Sequence, residues 1–380
     1  MNNTPPPSRI RARDLGIPLD GTPGALNAIT DIDGLLVGHA TLIGGEGALD
    51  VGHGPVRTGV TVVLPRGRHY DPVFAASYVL NGNGEMTGTI WIEESGFLEG
   101  PIAVTNTHSV GIVRDSVIAW EVQNRIYDPV APGIFWALPV VAETYDGVLN
   151  DVNGFHVKQE HVFAALDSAT GGAVAEGAFG GGTGMICHGF KGGIGTASRV
   201  LAADHGGFTV GVLVQANHGK RRHLTVAGVP VGKELTELPV EIHANAAPPP
   251  GTGSIIILLA TNAPLLPHQL KRLARRIPLG MHRVGAQGDN TSGDIFMAFS
   301  TANPGAAHRN STVDLKMLSN EQLDPLFEAT IQATEEAILN ALIAAKTTVG
   351  INGNTAHALP HDRLQEILRK YGRLNETASR

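Results

Sequence analysis

The peptide bond between Gly253 and Ser254 joins the residue types that a self-cleaving bond needs. A serine hydroxyl can attack the carbonyl of the preceding residue, move the acyl group from nitrogen to oxygen and leave an ester that water hydrolyses. Glycine presents the least hindered carbonyl for this attack. Cleavage would give Ser254 a free α-amine beside its own hydroxyl, which is a nucleophile with a base on the same residue. These residues alone leave a plainer interpretation open, because a Gly-Thr-Gly-Ser loop before a strand is common.

Two glycine-rich stretches, 180–184 and 189–195, invite a phosphate-binding interpretation, but their spacing fails. Lys191 is followed by glycine where a P-loop needs serine or threonine, and the third glycine of the dinucleotide fingerprint is missing. We therefore expect these glycines to allow tight turns or close backbone approaches, partly around a pocket. The role of the Lys191 charge stays open.

Sixteen histidines raise the question of a metal site, but no His-Glu-x-x-His motif is present. The pair His218 and His223 has two arginines between its members, and this spacing does not favour a metal. Cys187 adjoins His188, yet adjacent side chains diverge on a strand or a helix. We expect a small buried thiol at Cys187, and neither a metal nor a cofactor.

Short apolar runs bounded by glycine, proline or asparagine predict the strands that must position these groups. The predicted strands cover residues 59–64, 101–105, 138–142, 208–214, 254–260 and 295–299. Many are apolar on both faces, so we expect sheets that are covered on both sides. The stretch 246–253 is rich in proline and glycine and could be a linker, but a core strand follows it directly. We therefore expect an exposed Gly–Ser bond anchored at the end of that strand.

Apolar residues at helical spacing predict a long helix over 327–342, behind a capping-box signal at Ser319. Further helices are predicted over 111–126, after Pro264 and over 362–370. Strands and helices thus mix throughout the chain, without the strict alternation of a doubly wound parallel sheet. This pattern predicts a mixed α/β (α+β) fold.

Length and composition exclude several classes of protein. The chain has 380 residues, of which 42% are hydrophobic and 17% charged, and this balance predicts a thick globular body. The net charge of −7 argues against nucleic-acid binding. The longest apolar run, 255–260, is far shorter than the roughly 20 residues of a membrane span. We expect a soluble, cytoplasmic protein with no secretory signal.

Several sequence blocks occur together in one order along the chain. They are TDIDGLLVGH at 30–39, TNTHS at 105–109, AETYDG at 142–147, GTGM at 182–185, FKGGIGTAS at 190–198, QANHG at 215–219, GSIII at 253–257, ATNAP at 260–264 and TSGDIF at 291–296. Together they resemble the family of the L-aminopeptidase/D-alanyl-esterase/amidase and the β-peptidyl aminopeptidases, which mature by autoproteolysis at a Gly-Ser bond. The resemblance covers nearly the whole chain.

The resemblance implies a role for each residue of the site. It implies that Ser254 is the nucleophile and that Ser292 and Asp294 form its polar relay, although some relatives carry glutamate at the second position. Asn217 would donate to the oxyanion, with Tyr145 assisting. An amide fixed beside a nucleophile can stabilise a developing oxyanion, so the role given to Asn217 is physically sensible.

The resemblance also implies that Glu143 holds the free ammonium of the substrate, which is what directs an aminopeptidase to the end of a chain. Structural interpretations stay open beside these roles. Tyr145 could be a core residue, Asn217 a turn former at a strand end and Asp294 a helix or turn cap.

The implied fold is a four-layer αββα sandwich, a single body over residues 1–380 that is cut into chains 1–253 and 254–380. The implied reaction is acyl transfer to Ser254 from a small peptide, amide or ester, followed by hydrolysis that releases the N-terminal amino acid. The proton acceptor would be either the α-amine of Ser254 or the relay. Family members assemble as oligomers, so we expect a homotetramer.

Two alternatives come from other functional classes. An ornithine-type acetyltransferase shares the self-cleaving logic and a related fold, but it uses threonine where this chain has Ser254. A non-catalytic small-molecule-binding protein would keep the glycine-rich pocket and need no cut.

Overall fold

The computed structural model describes residues 10–128, 131, 133–243 and 253–375. Its strands are β1 (Leu36–Gly44), β2 (Val56–Leu64), β3 (Val73–Gly82), β4 (Phe97–Leu98), β5 (Ile102–Asn106), β6 (Val140–Thr144), β7 (Ile186–Cys187), β8 (Phe190–Lys191), β9 (Gly193–Val200), β10 (Thr209–Asn217), β11 (Gly253–Thr261), β12 (Ser292–Ser300), β13 (Thr348–Val349) and β14 (Thr355–Ala356). Its helices are α1 (Thr89–Ser95), α2 (Val110–Asn124), α3 (Gln159–Asp167), α4 (Val231–Glu234), α5 (Pro267–Ala274), α6 (Ile277–Arg283), α7 (Asp324–Ala344) and α8 (His361–Lys370). The predicted mixture of strands and helices is confirmed.

The long strands build two facing sheets. Among the described residues, the first sheet has the order β1-β2-β5-β6 and the second the order β4-β3-β12-β11-β10-β9. In the second sheet β11 and β12 are parallel, whereas β10 pairs with β11 and β3 with β12 in antiparallel fashion. Strands from before and after residue 253 are therefore neighbours at two places in this sheet.

Apolar residues pack on both faces of both sheets. Val104, Leu258 and Phe299 help to fill the space between the sheets. Helices α2 and α3 cover the outer face of the first sheet, with Trp120 and Leu166 in that core. Helices α5, α6, α7 and α8 cover the outer face of the second sheet. The layers run helix, sheet, sheet, helix, so the expected αββα sandwich is confirmed.

The predicted strands are all present, and the helices over 111–126, 327–342 and 362–370 are confirmed as α2, α7 and α8. The helix predicted after Pro264 is interrupted, because α5 ends at Ala274 and α6 begins at Ile277. Pro278 has no amide hydrogen, and its ring would clash with the carbonyl of Ala274 in a continuous helix. Ser319 caps a short 3-10 turn that precedes α7.

The close backbone approaches predicted for the glycine-rich stretches are confirmed. A Cβ atom on Gly195 would lie 2.0 Å from the carbonyl oxygen of Ala337 in helix α7. The glycine therefore lets the helix lie against strand β9, where the sequence suggested a turn or the wall of a pocket. Gly184 and Gly189 do line a cavity, which is described below.

Residues 246–252 of the proline-rich stretch lie outside the described residues. Gly253 is half-buried, and Ser254 is buried at the start of β11. The expectation of an exposed bond is therefore wrong for Ser254, because its strand already belongs to the core at that point. No helix in the described part of the chain is long and apolar enough to cross a membrane.

Candidate active site

Ser254 lies in the second sheet, directly opposite Asn217 of the antiparallel neighbour strand. Side chains alternate along a strand, and Ile256 and Leu258 belong to the core between the sheets. The Ser254 side chain therefore faces the same intersheet space, and so does Asn217, which shares a face with Leu213. Side chains opposed in this way have Cβ atoms about 4.5–5.5 Å apart. The hydroxyl of Ser254 makes no hydrogen bond to another described residue.

Two backbone contacts fix the amide of Asn217. Its Oδ1 accepts a hydrogen bond from the Ile186 N–H at 2.7 Å, and its Nδ2 donates to the Tyr145 carbonyl at 2.9 Å. A primary amide has two hydrogens on nitrogen, so Nδ2 keeps a second donor. Asn217 is thus a clamped strand-end residue with donor capacity beside Ser254, and the turn-former interpretation is wrong.

Tyr145 follows strand β6, and its side chain is 42% exposed. The ring lies over Gly147, where a Cβ atom would come within 2.3 Å of the phenolic oxygen. Burial and the nearby charge of Asp146 raise the pKa of Tyr145, which therefore stays protonated at neutral pH. The core-packing interpretation of Tyr145 is wrong, because this side chain faces a cavity.

Glycines occupy the other flank of Ser254. In the parallel pairing with β12, Ser254 lies opposite Gly293. A Cβ atom on Gly293 would lie 2.4 Å from the Asn83 carbonyl oxygen, and one on Gly84 would lie 3.3 Å from the Cα of Gly293 and 3.0 Å from Glu143 Oε1. Backbone alone therefore fills the space between the candidate nucleophile and the Glu143 carboxylate.

Glu143 is buried in β6 with two hydrogen bonds to its carboxylate. Oε2 accepts from the Thr107 hydroxyl, and Oε1 accepts from the Glu85 N–H at 3.2 Å. Burial raises the pKa of Glu143, and these two hydrogen bonds oppose the rise. Among the described residues no lysine or arginine forms an ion pair with it, so its charge is available to a cationic ligand.

Ser292 and Asp294 lie on the opposite face of the second sheet. Asp294 shares a face with Phe296 and Ala298, which belong to the core beneath the helices. The Ser292 hydroxyl donates to Asp294 Oδ1 at 2.7 Å, and Asn81 Nδ2 donates to Oδ2 at 3.0 Å. Burial raises the pKa of Asp294, against these hydrogen bonds.

This pairing settles two expectations about Asp294. Aspartate is long enough to reach Ser292, although some relatives have glutamate at this position. The helix-cap or turn-cap interpretation is wrong, because Asp294 lies within strand β12. The pairing of Ser292 with Gly253 places Ser292 and Asp294 beside the backbone of the Gly–Ser bond, and their side chains face away from the Ser254 hydroxyl.

A cavity of about 160 Å³ opens beside the Gly–Ser bond. Its lining residues come from the glycine-rich turns, from the ends of β6 and β10, and from residues 240–242; they include Tyr145, Gly184, Gly189, Asn217, His218 and Gly253. The wall is partly apolar, with Val148, Ile186, Val240 and Ile242. The cavity can hold a small organic group next to the bond.

Lys191 supports the glycine-rich wall of this cavity. Its ammonium is fully buried and donates to the carbonyl oxygens of Gly182, Met185 and Gly192 at 2.8–3.1 Å. Burial lowers the pKa of Lys191 to about 7. The sequence left the role of this lysine open. In the structure it holds a turn by donating hydrogen bonds to backbone carbonyl oxygens.

Sequence reasoning missed the residues that hold the predicted groups in place. Thr107 lies within the block 105–109, so its hydroxyl was a visible candidate for holding Glu143. Asn81, which holds Asp294, lies in strand β3, which was not predicted from the sequence, and it carried no such signal. Gly293 and Gly84 become meaningful only once the pairing of β12 is known.

The chain matches known proteins over almost its whole length. Residues 27–356 match the family described as "Peptidase family S58". The β-peptidyl aminopeptidase BapA of Sphingosinicella microcystinivorans is 55% identical over 374 residues, which cover 96% of this chain and 93% of that protein.

Solved structures agree with this match. One is the L-aminopeptidase D-Ala-esterase/amidase of Ochrobactrum anthropi, described as a prototype of the serine aminopeptidases with a variant of the Ntn hydrolase fold. It gives a TM-score of 0.88 at 48% identity and covers 96% of this chain and 99% of that one. A β-aminopeptidase of a Burkholderia species gives 0.85 at 51% identity, with the same coverage. The chain belongs to peptidase family S58 and is an aminopeptidase/amidase with the N-terminal-nucleophile hydrolase fold.

Proposed function

We propose that the chain cleaves its own Gly253–Ser254 bond and then uses Ser254 as an N-terminal nucleophile. The observation that carries this proposal is a row of groups across the sheets: Asn217, Ser254, Gly293 and Glu143. The row presents an amide donor, a hydroxyl, a stretch of backbone without side chains and a carboxylate that forms no ion pair with a lysine or arginine among the described residues, in the order that an aminopeptidase needs. The products of the cut are chains 1–253 and 254–380, which stay in one body.

The geometry favours the α-amine of Ser254 as the base for its hydroxyl. The relay side chains lie on the face of the sheet opposite to the hydroxyl, so they are poorly placed to take its proton directly. The α-amine replaces the backbone nitrogen at the strand edge and can reach both faces. In its neutral form the amine accepts the hydroxyl proton as the oxygen attacks the carbonyl of the bound substrate, and it returns that proton to the leaving amine.

Ser292 and Asp294 then orient the α-amine. The Ser292 hydroxyl donates its hydrogen to Asp294, which leaves the serine oxygen as an acceptor for an N–H of the amine. The carboxylate strengthens this acceptor, and Asn81 fixes the carboxylate in turn. In this assignment Ser292 and Asp294 act on the backbone nitrogen of Ser254 and not on its hydroxyl. This agrees with the pairing of Ser292 with Gly253.

Asn217 stabilises the oxyanion of the tetrahedral intermediate through the second hydrogen on its Nδ2. Its other contacts hold the amide before the reaction begins, and a preorganised donor is worth more than one that must turn during the step. Tyr145 assists from the cavity wall, where its hydroxyl stays protonated and can donate.

Glu143 binds the free ammonium of the substrate. A buried carboxylate that two donors already hold, and that forms no ion pair with a lysine or arginine among the described residues, can form a charge-assisted hydrogen bond to that group. Its separation from Ser254 then determines which carbonyl reaches the nucleophile. The enzyme therefore releases single residues from the N-terminus.

The same glycines and the relatives indicate the substrate class. Gly84 and Gly293 place no side chain between the carboxylate and the nucleophile, so no side chain of theirs obstructs a β-amino acid backbone with its extra methylene. The relative at 55% identity is named a β-peptidyl aminopeptidase, and the Ochrobactrum protein an L-aminopeptidase and D-Ala-esterase/amidase. We therefore expect small peptides, amides and esters with a free N-terminal α- or β-amino acid to be substrates.

The processed units assemble as a homotetramer in our proposal. Large apolar side chains stay exposed in the single chain, among them Ile90, Ile134 and Trp136. In this proposal a further subunit covers these side chains. The cytoplasm is the proposed compartment, and the buried free thiol of Cys187 is compatible with its reducing conditions.

The test compares wild type with Ser254→Ala on a denaturing gel and in a panel of L-, D- and β-aminoacyl p-nitroanilides. We expect two bands and amine release from wild type, and one inactive 39.8 kDa band from the variant. The exposed-serine variant Ser311→Ala serves as a matched control and should be cut and active. An uncut wild-type chain with full activity would refute the proposal.

A further inference from the structure

A thiol and two imidazoles form a buried group beside the strand end that carries Asn217. Cys187 and His188 are fully buried, and His218 is 4% exposed. One potential ligand atom from each residue lies within 4.8 Å of the other two. The rings of His188 and His218 meet edge to face, with centroids 5.2 Å apart. The spacing of these residues in the sequence did not predict this group, because His218 is distant in the chain from Cys187 and His188.

An unusual backbone conformation and two close contacts hold His188 in this position. Its backbone φ is 48°, which lies in the left-handed region that residues other than glycine rarely adopt. Its N–H donates to the carbonyl of His218 at 2.7 Å. Its ring occupies the space above Gly219, where a Cβ atom would come within 2.4 Å of the imidazole.

Both imidazoles carry a buried nitrogen with no hydrogen-bond partner among the described residues, and in each case it is Nε2. His188 Nδ1 lies 3.3 Å from the Lys220 carbonyl, so Nδ1 carries the proton and Nε2 presents a lone pair. His218 Nδ1 lies 3.7 Å from Cys187 Sγ. A histidine that binds a metal typically donates its other ring N–H to a carbonyl in this manner.

Burial also sets the protonation states. It lowers the pKa of His188 to about 4 and that of His218 well below the usual range, so both rings are neutral at neutral pH. It raises the pKa of the Cys187 thiol to about 12. The group is therefore two free bases and a thiol that keeps its proton until a metal displaces it.

We propose that Cys187, His188 and His218 bind one Cu⁺ ion. Thiolate and imidazole donors suit this soft ion, and three of them complete a trigonal site. Binding breaks the S–H bond, forms an S–Cu bond and releases the proton to solvent, with no change of oxidation state. Thiolate and Cu⁺ charges cancel, which matters in a buried site close to the Lys191 ammonium. Zn²⁺ would leave a positive charge there and would need a fourth ligand.

The bound ion would join the two segments that hold Asn217. Cys187 follows Ile186, whose N–H binds Asn217 Oδ1, and His218 follows Asn217 itself. An ion across them fixes the amide from both sides. Entry is through the 160 Å³ cavity, which His218 helps to line.

The test is an anaerobic titration of the purified full-length protein with Cu⁺, buffered by a competing copper chelator, with a parallel titration with Zn²⁺. We expect one equivalent of Cu⁺ to bind, with a thiolate-to-copper charge-transfer absorption that can arise only from Cys187, the single cysteine of the chain. Cu⁺ should also raise the melting temperature. Cys187→Ser should remove the absorption and weaken binding at least 100-fold, and His188→Gln at least tenfold.

The exposed helix residue His268 supplies a matched control, because His268→Gln removes an imidazole far along the chain from the cluster. It should bind Cu⁺ as wild type does. Failure of wild type to bind, or equal binding by Cys187→Ser, would overturn the proposal. Binding of Zn²⁺ without Cu⁺ would overturn the choice of ion. A circular dichroism spectrum like that of wild type establishes that a variant that does not bind is folded.

Discussion

Asn217 and Ser254 are a cross-strand pair, and this pairing puts the amide beside the hydroxyl without any loop to place it. The contacts of the amide with Ile186 and Tyr145 hold it against rotation. A fixed donor of this kind lowers the barrier to oxyanion formation because it needs no reorganisation. In the function that we propose, the reactivity of Ser254 therefore depends on a neighbour that the sheet itself supplies.

Replacing Asn217 tests this dependence. Asn217→Ala should lower kcat by about 10²- to 10³-fold, the usual loss when an oxyanion donor is removed. Asn217→Asp keeps an acceptor for the Ile186 N–H but loses the donor, and it should be at least as slow. The measurement is kcat with an aminoacyl p-nitroanilide, beside the rate of chain cleavage. Asn124→Ala, on the exposed side of α2, should match wild type, and a loss below tenfold for Asn217→Ala would contradict the role.

Glu143 should control the choice of substrate and should set a limb of the pH profile on the acid side, separate from the loss of activity that follows protonation of the Ser254 α-amine. The ionised carboxylate is the form that binds an ammonium, and burial raises its pKa above the ordinary value of about 4.3. As the pH falls through this raised value, Glu143 takes up a proton and kcat/KM for free-amine substrates should fall. Glu143→Gln should lower kcat/KM by about 10- to 100-fold, as expected for a lost charge-assisted hydrogen bond, and should remove this limb.

The matched control is Glu85→Gln, because the Glu85 carboxylate is exposed and acts on Glu143 only through its charge. It should leave the limb in place and move it slightly to lower pH. Substrates with an acylated amine separate the effects further. An unchanged preference for free amines in Glu143→Gln would show that another group reads the ammonium.

At the scale of elements, periodicity predicted well where one strand or helix lies between two apolar layers. Strand β11 was predicted because Ile255 to Ala260 are all apolar, and it lies between two cores. Strand β9 was not predicted, because its glycines resemble a turn until Gly195 is seen against helix α7. The residues to which the sequence blocks imply roles lie on neighbouring strands, although the side chains of Ser292 and Asp294 face away from the Ser254 hydroxyl. Their supports, Asn81 above all, depend on strand pairing that no local pattern shows.

The glycine-rich turn is the element whose stability should depend most on one charge. Lys191→Met leaves the carbonyls of Gly182, Met185 and Gly192 without their donor, and each such loss costs about 1–3 kcal/mol. The lowered pKa of Lys191 sets the pH dependence. Between pH about 7 and about 10.4 the unfolded chain binds more protons at this lysine than the folded one, so wild-type stability gains from rising pH there.

The experiment measures the free energy of unfolding at pH 7 and pH 9 in a Ser254→Ala background, so that one chain unfolds. The difference in the free energy of unfolding between the protein with Lys191 and the Lys191→Met variant should be larger at pH 9 than at pH 7. Lys346→Met, at an exposed lysine, should show no such change. A gap that is independent of pH would mean that Lys191 keeps its ordinary pKa in the fold.

At the scale of the whole molecule, the segments before and after residue 253 are inseparable in the fold. Strand β11 pairs with β10, and β12 pairs with β3, across the proposed division. Arg13 and Arg199 from the first segment both bind the buried Glu336 of helix α7 in the second. Removal of one partner from such a buried ion group typically costs 3–5 kcal/mol, as an order of magnitude. The cut that we propose therefore divides the polypeptide while the body remains whole.

The interleaved strand order has a consequence for the molecularity of folding. The uncut chain folds in a first-order reaction, whereas a cut enzyme that has unfolded must bring two polypeptides together again. The melting temperature of the mature form should therefore rise more steeply with protein concentration than that of Ser254→Ala, whose concentration dependence comes from subunit assembly alone. Calorimetry of both forms over a hundredfold range of concentration measures this, and equal slopes would contradict it. Self-cleavage would then be a one-way step, since a dilute mature enzyme that unfolds has lost the covalent link that made its first folding unimolecular.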